Sequence, residues 1–207
     1  MIRIALTGPS GSGKSTLLSL LEEKGCGIID CDVLVHELQI PGERCYEELV
    51  EAFGTGILRS DSGIDRRELA KIAFSSREMT VKLNSITHKH VVRRVDEIAN
   101  NYENNGCSAV FIEAGALFES GLDKTCDKVI LLTANRDTLI KRILERDHID
   151  VESANQRLNI QKDIQFLKSN SDMVLFNEGE QYDLQLFCDL IIKKINYWNW
   201  SKEHEKE

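Results

Sequence analysis

A glycine-rich segment near the N-terminus carries residue types that bind phosphate groups. Residues 8–16 read Gly-Pro-Ser-Gly-Ser-Gly-Lys-Ser-Thr, which fits the pattern of a glycine, four residues, Gly-Lys and Ser or Thr. Glycines let successive backbone N–H groups point at phosphate oxygens, because no Cβ blocks the approach. We expect Lys14 to bridge the β- and γ-phosphates and the Ser15 hydroxyl to bind Mg²⁺. The residues expected to contact the triphosphate are Gly8, Gly11, Ser12, Gly13, Lys14, Ser15 and Thr16.

Two carboxylates, Asp30 and Asp32, follow the second predicted strand. Parallel sheets bind their ligands at the carboxyl ends of the strands, so these groups are placed to orient or deprotonate an acceptor hydroxyl. The alternative is structural, because an N-cap and a first-turn acid favour any helix start. The spacing alone leaves both interpretations open.

Two arginines four residues apart, Arg142 and Arg146, share one face of a predicted helix. Planar guanidinium groups suit triphosphate oxygens or an adenine ring. The alternative is an ordinary solvated face, with Arg142 paired to Glu145 or Arg146 to Asp150. Spacing alone favours the solvated face, because charged helix faces are common.

Five short apolar runs predict the strands of a parallel sheet, because helix-like stretches separate them. The runs are residues 2–7, 28–29, 109–112, 128–132 and 173–176. Residues 33–101 and 135–166 form two helical blocks inserted between strands. We therefore expect one domain, with an α/β core of about residues 1–32, 102–134 and 167–200. Asp65 with Glu68, and Ser75 with Glu78, have the spacing of capping boxes and predict two helix starts in the first block.

Composition excludes several classes of function. The chain has 207 residues and a formal net charge of −8, which argues against attraction to a nucleic-acid backbone. No run approaches the roughly 20 apolar residues that a membrane span needs, and the N-terminus has no signal-peptide pattern. The six cysteines include no Cys-x-x-Cys pair, so we expect reduced thiols and a cytoplasmic location.

The carboxylate segment and its flanks resemble a known family. Residues 28–38 are similar to the second signature of the dephospho-CoA kinases, an Asp-Ala-Asp about sixteen residues after the phosphate-loop lysine. The resemblance continues in chain order over roughly residues 2–190. Further matching positions are 41–42, 53–54, 63–67, 69–70, 74, 83–88, 117–122, 126–127, 142, 146–147, 157, 161, 172, 177 and 179. The chain departs from the family pattern at Pro9-Ser10, and also at Lys89, Glu113 and Gly115.

The resemblance implies a P-loop kinase-like, three-layer α/β/α fold with a mostly parallel sheet, a helical acceptor-binding insert (33–101) and a helical lid (135–166). It implies ATP-dependent phosphorylation of the 3′-hydroxyl of dephospho-CoA, with Mg²⁺ and without nucleic acid or membrane partners, by a monomer or small homo-oligomer. The implied catalytic residues are Asp32, Lys14 and Arg142. Arg142, Arg146 and Asn177 join the ATP site, and Asp32, Arg66, His88 and Glu119 bind the acceptor. Magnesium is expected at Ser15, with Asp30 or Glu113 acting through water.

Two other functions share part of this pattern. A nucleoside or nucleotide kinase has the same loop, insert and lid, but the ordered segments from Asp30 to Gly179 favour dephospho-CoA as the acceptor. A non-catalytic switch of the GTPase type usually reads guanine with an Asn-Lys-x-Asp segment, which this sequence lacks. Adenine is therefore the expected base.

Overall fold

Five parallel strands form one sheet at the centre of the computed structural model, which describes residues 1–179 and 181–204. The strands are β1 (Ile2–Thr7), β2 (Gly27–Asp30), β3 (Ala109–Glu113), β4 (Lys128–Thr133) and β5 (Met173–Phe176). Their order is β2-β3-β1-β4-β5, and all neighbouring pairs are parallel. The predicted parallel sheet is confirmed, and every predicted apolar run lies within an observed strand.

Ten α-helices connect and cover these strands in the part of the chain that the structure describes. The first five are α1 (Lys14–Glu23), α2 (Cys31–Leu38), α3 (Arg44–Phe53), α4 (Arg66–Ala73) and α5 (Arg77–Asn104). The others are α6 (Leu117–Ser120), α7 (Arg136–Asp147), α8 (Val151–Asn159), α9 (Ile164–Ser169) and α10 (Gln181–His204). Short 3-10 turns lie at Thr55–Ile57 and Leu122–Thr125. None of the helices described is both long and apolar enough to cross a membrane.

The two faces of the sheet are covered by different helices, because side chains alternate between the faces of a strand. On β1, Ile2, Ile4 and Leu6 pack in one buried cluster with residues of α1 and α10. Ala5 points to the other face, into a cluster that includes Val95 of α5. Helices therefore cover both faces of the sheet, which gives three layers, and the predicted α/β/α architecture is confirmed.

The helices α7 and α8 have a small apolar core of their own. Leu139 and Ile143 of α7 pack with Ala154 and Leu158 of α8 and with Ala134 at the end of β4. This core lies between β4 and β5 in the chain. It therefore makes the second helical block a separately packed unit beside the sheet.

The two predicted helix starts of the first block have different outcomes. The Asp65 carboxylate accepts hydrogen bonds from the backbone N–H groups of Arg67 and Glu68, so the predicted cap of α4 is confirmed. The start predicted at Ser75 is wrong by one residue. Ser76 caps α5 through the Met79 N–H, whereas the Ser75 hydroxyl donates to the Ile72 carbonyl at the end of α4. Adjacent serines offer the same capping oxygen, and the turn between the helices selects the second one.

The six cysteines are free thiols, as expected. Burial raises the pKa of Cys31 to about 12 and that of Cys26 to about 11. These thiols are therefore protonated at neutral pH and serve as small apolar side chains.

Candidate active site

The phosphate-binding loop connects β1 to α1 at the carboxyl edge of the sheet. Gly8 has a φ of 149°, and a Cβ on it would lie 1.9 Å from the Leu132 carbonyl oxygen of β4. Gly13 has a φ of 98° and forms the N-cap of α1 in a left-handed conformation. Only glycine permits this path against the neighbouring strand. The loop thus ends at a helix N-terminus, where unpaired N–H groups favour anions.

Asn177 bonds to the backbone of this loop. It follows β5, the residue is 2% exposed, and its Nδ2 donates to the Ser12 carbonyl at 2.7 Å. Its backbone N–H donates to the Thr133 carbonyl at 2.7 Å. The structure therefore gives Asn177, which we expected among the ATP-binding residues, a contact to the loop itself. Ser15 and Thr16, by contrast, are exposed at the start of α1.

The Lys14 ammonium lies over the loop. Its Nζ donates to the Gly8 carbonyl at 2.9 Å and lies 3.7 Å from Glu113 Oε1. Burial lowers the pKa of Lys14, and the Glu113 carboxylate opposes that shift. The ammonium is thus held beside the loop by partners that phosphate oxygens can replace.

The two carboxylates after β2 have different surroundings. Asp30 Oδ1 accepts from the backbone N–H groups of Asp32 at 2.8 Å and Val33 at 3.1 Å, so Asp30 is the N-cap of α2. Asp32 lies in the first turn of α2, is exposed and lines the cavity beside the phosphate loop. The structural interpretation therefore holds for Asp30, and the role of Asp32 toward an acceptor hydroxyl stays a prediction.

Asp32 stands at the junction of two cavities. The first cavity, of about 740 Å³, contains the phosphate loop, Lys14 and Glu113 on one side and Glu119 on the other. The second cavity, of about 250 Å³, lies between α2, α4 and α5. Asp32 lines both, together with Ala114 and Gly115. A group bound in one cavity can therefore meet a group bound in the other at the Asp32 carboxylate.

The second cavity combines apolar walls with a few polar groups, which is typical of small-molecule sites. Arg66 and His88, both predicted to bind the acceptor, line it with Asn84. Burial lowers the pKa of His88, and the Glu119 carboxylate opposes that shift. The Thr87 hydroxyl lines the same cavity, is buried, and has no hydrogen-bond partner within residues 1–179 and 181–204. This hydroxyl can donate to, or accept from, a polar group of a molecule bound in the cavity.

Arg142 of α7 faces the phosphate loop. Its guanidinium donates to the carbonyls of Gly11 at 3.4 Å, Asn177 at 2.9 Å and Gly179 at 2.6 Å. The pairing with Glu145 that a solvated helix face would give is absent from the ion pairs of the described residues. Arg142 thus joins α7 to the loop and to the segment after β5.

Arg146 is exposed and binds its neighbour Asp147, which is also ion-paired with Arg157 of α8. These two guanidinium groups lower the pKa of Asp147 to about 2. Arg146 lines neither cavity, and its contact with ATP stays a prediction.

Several contacts that close the first cavity were not predicted. The Gln161 side chain bonds to Ser10 of the phosphate loop, and the Lys162 ammonium lies 3.1 Å from Glu119. The rings of Phe118 and Phe166 meet edge to face at 5.2 Å between centroids. Lys162 in particular carries no local signal, because its partner lies 43 residues away in the chain. These contacts tie the segment after α8 to the core.

Glu113 ends β3 directly opposite Asp30 in the parallel register. Burial raises the pKa of Glu113; Lys14 lowers it, and the carboxylates of Asp30 and Asp32 raise it further. A carboxyl group whose folded-state pKa is raised binds more protons in the folded state than in the unfolded state. The free energy of unfolding therefore falls as the pH rises above the ordinary value of 4.5.

We accordingly expect that Glu113→Gln lacks this fall in the free energy of unfolding as the pH rises. Its stability relative to the wild type should be greater at pH 7 than at about pH 4, because Gln resembles the protonated carboxyl group. Urea unfolding at both pH values measures the difference, with Glu23→Gln on the exposed face of α1 as the control for loss of a charge. An equal difference at both pH values would contradict the assignment.

The donor set at this edge fits a magnesium ion bound mainly through phosphate and water. No group of three or more His, Cys, Asp or Glu side chains within the described residues could hold a metal. The Ser15 hydroxyl and the oxygens of Asp30 and Glu113 are hard ligands at the same edge, and Mg²⁺ usually keeps several waters and binds substrate phosphates. The chain supplies oxygen ligands of the right kind for such an ion.

Comparisons of sequence and of structure with known proteins point to the same family. The family model described as dephospho-CoA kinase matches residues 2–183. A dephospho-CoA kinase of Oceanobacillus iheyensis is 33% identical over 193 residues, covering 93% of this chain and 97% of that protein. One from Corynebacterium glutamicum is 34% identical over 195 residues, covering 94% of this chain and 100% of that protein. The solved dephospho-CoA kinase from Campylobacter jejuni superposes with a TM-score of 0.70 at 26% identity, covering 95% of this chain and 98% of that one.

Proposed function

The chain belongs to the dephospho-CoA kinase family, and we propose that it transfers the γ-phosphoryl group of ATP to the 3′-hydroxyl of dephospho-CoA with Asp32 as the general base. Family membership makes the protein a kinase of coenzyme A biosynthesis that uses ATP as co-substrate. The observation that supports the assignment to Asp32 is its place at the junction of the two cavities. ATP occupies the first cavity and the acceptor nucleoside the second.

In this mechanism Asp32 orients the 3′-hydroxyl and accepts its proton. The hydroxyl oxygen forms a bond to the γ-phosphorus, the bond from that phosphorus to the β,γ-bridging oxygen breaks, and ADP leaves. Asp32 is free for this role because Asp30 takes over the capping of α2. The capped helix fixes the backbone of Asp32 in its first turn, and catalysis by a positioned base requires such fixed geometry.

The charge that develops on the transferred group is met by cations from two elements. Lys14 exchanges its present partners, the Gly8 carbonyl and Glu113, for β- and γ-phosphate oxygens. Arg142 lies beside Gly11 and Gly179, between the phosphate loop and the segment after β5. From there it contacts the nucleotide while retaining its hold on the loop. Preorganised cations of this kind supply much of the stabilisation in phosphoryl transfer.

Magnesium is the metal that we propose for this site. The Ser15 hydroxyl would hold it, with Asp30 or Glu113 acting through water. When bound, the magnesium ion would neutralise part of the phosphate charge. The elevated pKa of Glu113 supports this proposal, because a nearby cation removes the cost of ionising a buried carboxyl group.

The two helical blocks complete the site. We assign residues 33–101 as the acceptor-binding lobe, since α2, α4 and α5 build the second cavity. Residues 135–166 form the lid, which the bonds from Gln161 to Ser10 and from Lys162 to Glu119 fasten over the first cavity. A closed lid excludes water, which otherwise competes as the phosphoryl acceptor. The free thiols agree with a cytoplasmic enzyme, and we propose a monomer or small homo-oligomer.

The direct test is an acceptor assay. The purified protein with magnesium and ATP should convert dephospho-CoA to coenzyme A, detected by mass spectrometry as the gain of one phosphate group. Nucleosides and nucleoside monophosphates should be poor acceptors. Formation of ADP without consumption of dephospho-CoA would refute the proposed reaction, and preferred phosphorylation of a nucleoside would identify a nucleoside kinase instead.

A further inference from the structure

A third cavity adjoins the second one on the side away from the phosphate loop. It has a volume of about 550 Å³ and lies between the end of α2 and the start of α4. Arg66 and Gln39 line both the second and the third cavity, so the two cavities are adjacent. Arg59, Arg67 and His36 line the third cavity only. Three arginines therefore meet in one cavity of a chain whose net charge is −8.

The positive charge of this cavity is incompletely neutralised. Arg59 is paired with Asp61 at 3.2 Å. The Asp65 carboxylate also lines the cavity, but it accepts the N–H groups that begin α4. Arg66 and Arg67 form no ion pair with any carboxylate of residues 1–179 and 181–204. Their guanidinium groups are thus available to an anion from outside the chain.

The positions of these two arginines are unfavourable for the helix alone. Arg66 and Arg67 are the first two residues of α4, at the positive end of the helix dipole. Cations are disfavoured at that end, whereas anions are favoured. A bound anion in the third cavity would offset this cost.

We propose that the third cavity binds the diphosphate bridge of the acceptor, with Arg66 and Arg67 as its main ligands. This inference rests on the proposed function, which places the 3′-hydroxyl at Asp32 and the nucleoside in the second cavity. The diphosphate is attached to the 5′ carbon of the same ribose, and Arg66 lines both the cavity assigned to the nucleoside and the third cavity. Guanidinium groups bind phosphate oxygens in a bidentate manner. Acceptor specificity then depends on charge recognition remote from the reacting hydroxyl.

Arg67→Gln tests the proposal, because Arg67 lines the third cavity and neither of the others. Calorimetric titration should show dephospho-CoA binding weakened about 10-fold, as expected for loss of a charged hydrogen bond. The affinity for adenosine, which lacks the diphosphate, should change less than about twofold. Arg77→Gln is the matched control, since Arg77 is an exposed arginine at the first position of α5 and lies outside all three cavities.

The outcomes separate the two proposals. Equal weakening for dephospho-CoA and adenosine, or no weakening of either, would overturn the diphosphate site. A larger salt dependence of dephospho-CoA binding in the wild type than in Arg67→Gln would support it, because screening weakens the charge attraction. Titration does not require turnover, so a protein that binds dephospho-CoA through Arg67 but does not phosphorylate it would contradict the proposed reaction alone.

Discussion

Asp32→Asn is expected to reduce kcat by about 10²-fold or more while leaving the affinity for ATP close to that of the wild type. A positioned general base contributes on the order of 10²- to 10⁴-fold to proton transfer, and asparagine cannot accept the proton of the 3′-hydroxyl. The amide keeps the size of the carboxylate, and Asp30 continues to cap α2, so the fold should be unchanged. Steady-state coenzyme A formation and equilibrium ATP binding measure the two quantities separately.

Glu37→Gln provides the control for this variant. Glu37 is an exposed carboxylate of the same helix and lines none of the three cavities. Its loss removes one charge from α2 without touching the site. A rate close to that of the wild type for Asp32→Asn would show that Asp32 acts only as a favourable first-turn acid.

Lys14→Met should weaken ATP binding and lower kcat by about 10²- to 10³-fold, the range found when one preorganised charge-stabilising donor is removed. Methionine retains much of the stem but lacks the ammonium group that reaches Gly8 and Glu113. The free energy of unfolding should not fall with kcat, because burial already disfavours the charge that the substitution removes. Thermal unfolding without nucleotide, ATP titration and turnover should be measured on the same preparation.

Lys24→Met is the matched control, since Lys24 follows the same helix and pairs with Asp189 at the surface. Surface ion pairs contribute little to stability, so this variant should keep its turnover. If Lys14→Met and Lys24→Met have similar activity, Lys14 does not contact the transferred phosphoryl group.

The strands and the phosphate loop were predictable because their signals are local. A buried parallel strand is a short apolar run, and the loop pattern fits within residues 8–16. The same holds for the cap at Asp65, whose hydrogen-bonded partners lie two and three residues away. In these cases the residues that determine the structure are neighbours in the chain.

Contacts between distant segments were not predictable from local patterns. The spacing of Arg142 favoured a solvated helix face, yet its partner Gly11 lies 131 residues away. Asn177 was expected at the nucleotide, and the local pattern did not indicate the bond from its Nδ2 to the Ser12 carbonyl, which arises because β5 packs beside the loop. Spacing also could not separate Asp30 from Asp32, because both satisfy the preferences of a helix start. Only the folded geometry assigns the cap to one carboxylate and the cavities to the other.

The separation of the two apolar clusters on opposite faces of the sheet has an evolutionary consequence. The cluster under the phosphate loop joins β1 to α1 and α10, whereas the cluster that supports the second cavity includes α2, α4 and α5. The sheet therefore separates the acceptor lobe from the helices that support the phosphate loop, so substitutions in that lobe should leave the loop unchanged. A lineage can exchange one hydroxyl-bearing substrate for another by remodelling that lobe while inheriting the nucleotide chemistry intact, and an engineer who wants a new acceptor should mutate the same side.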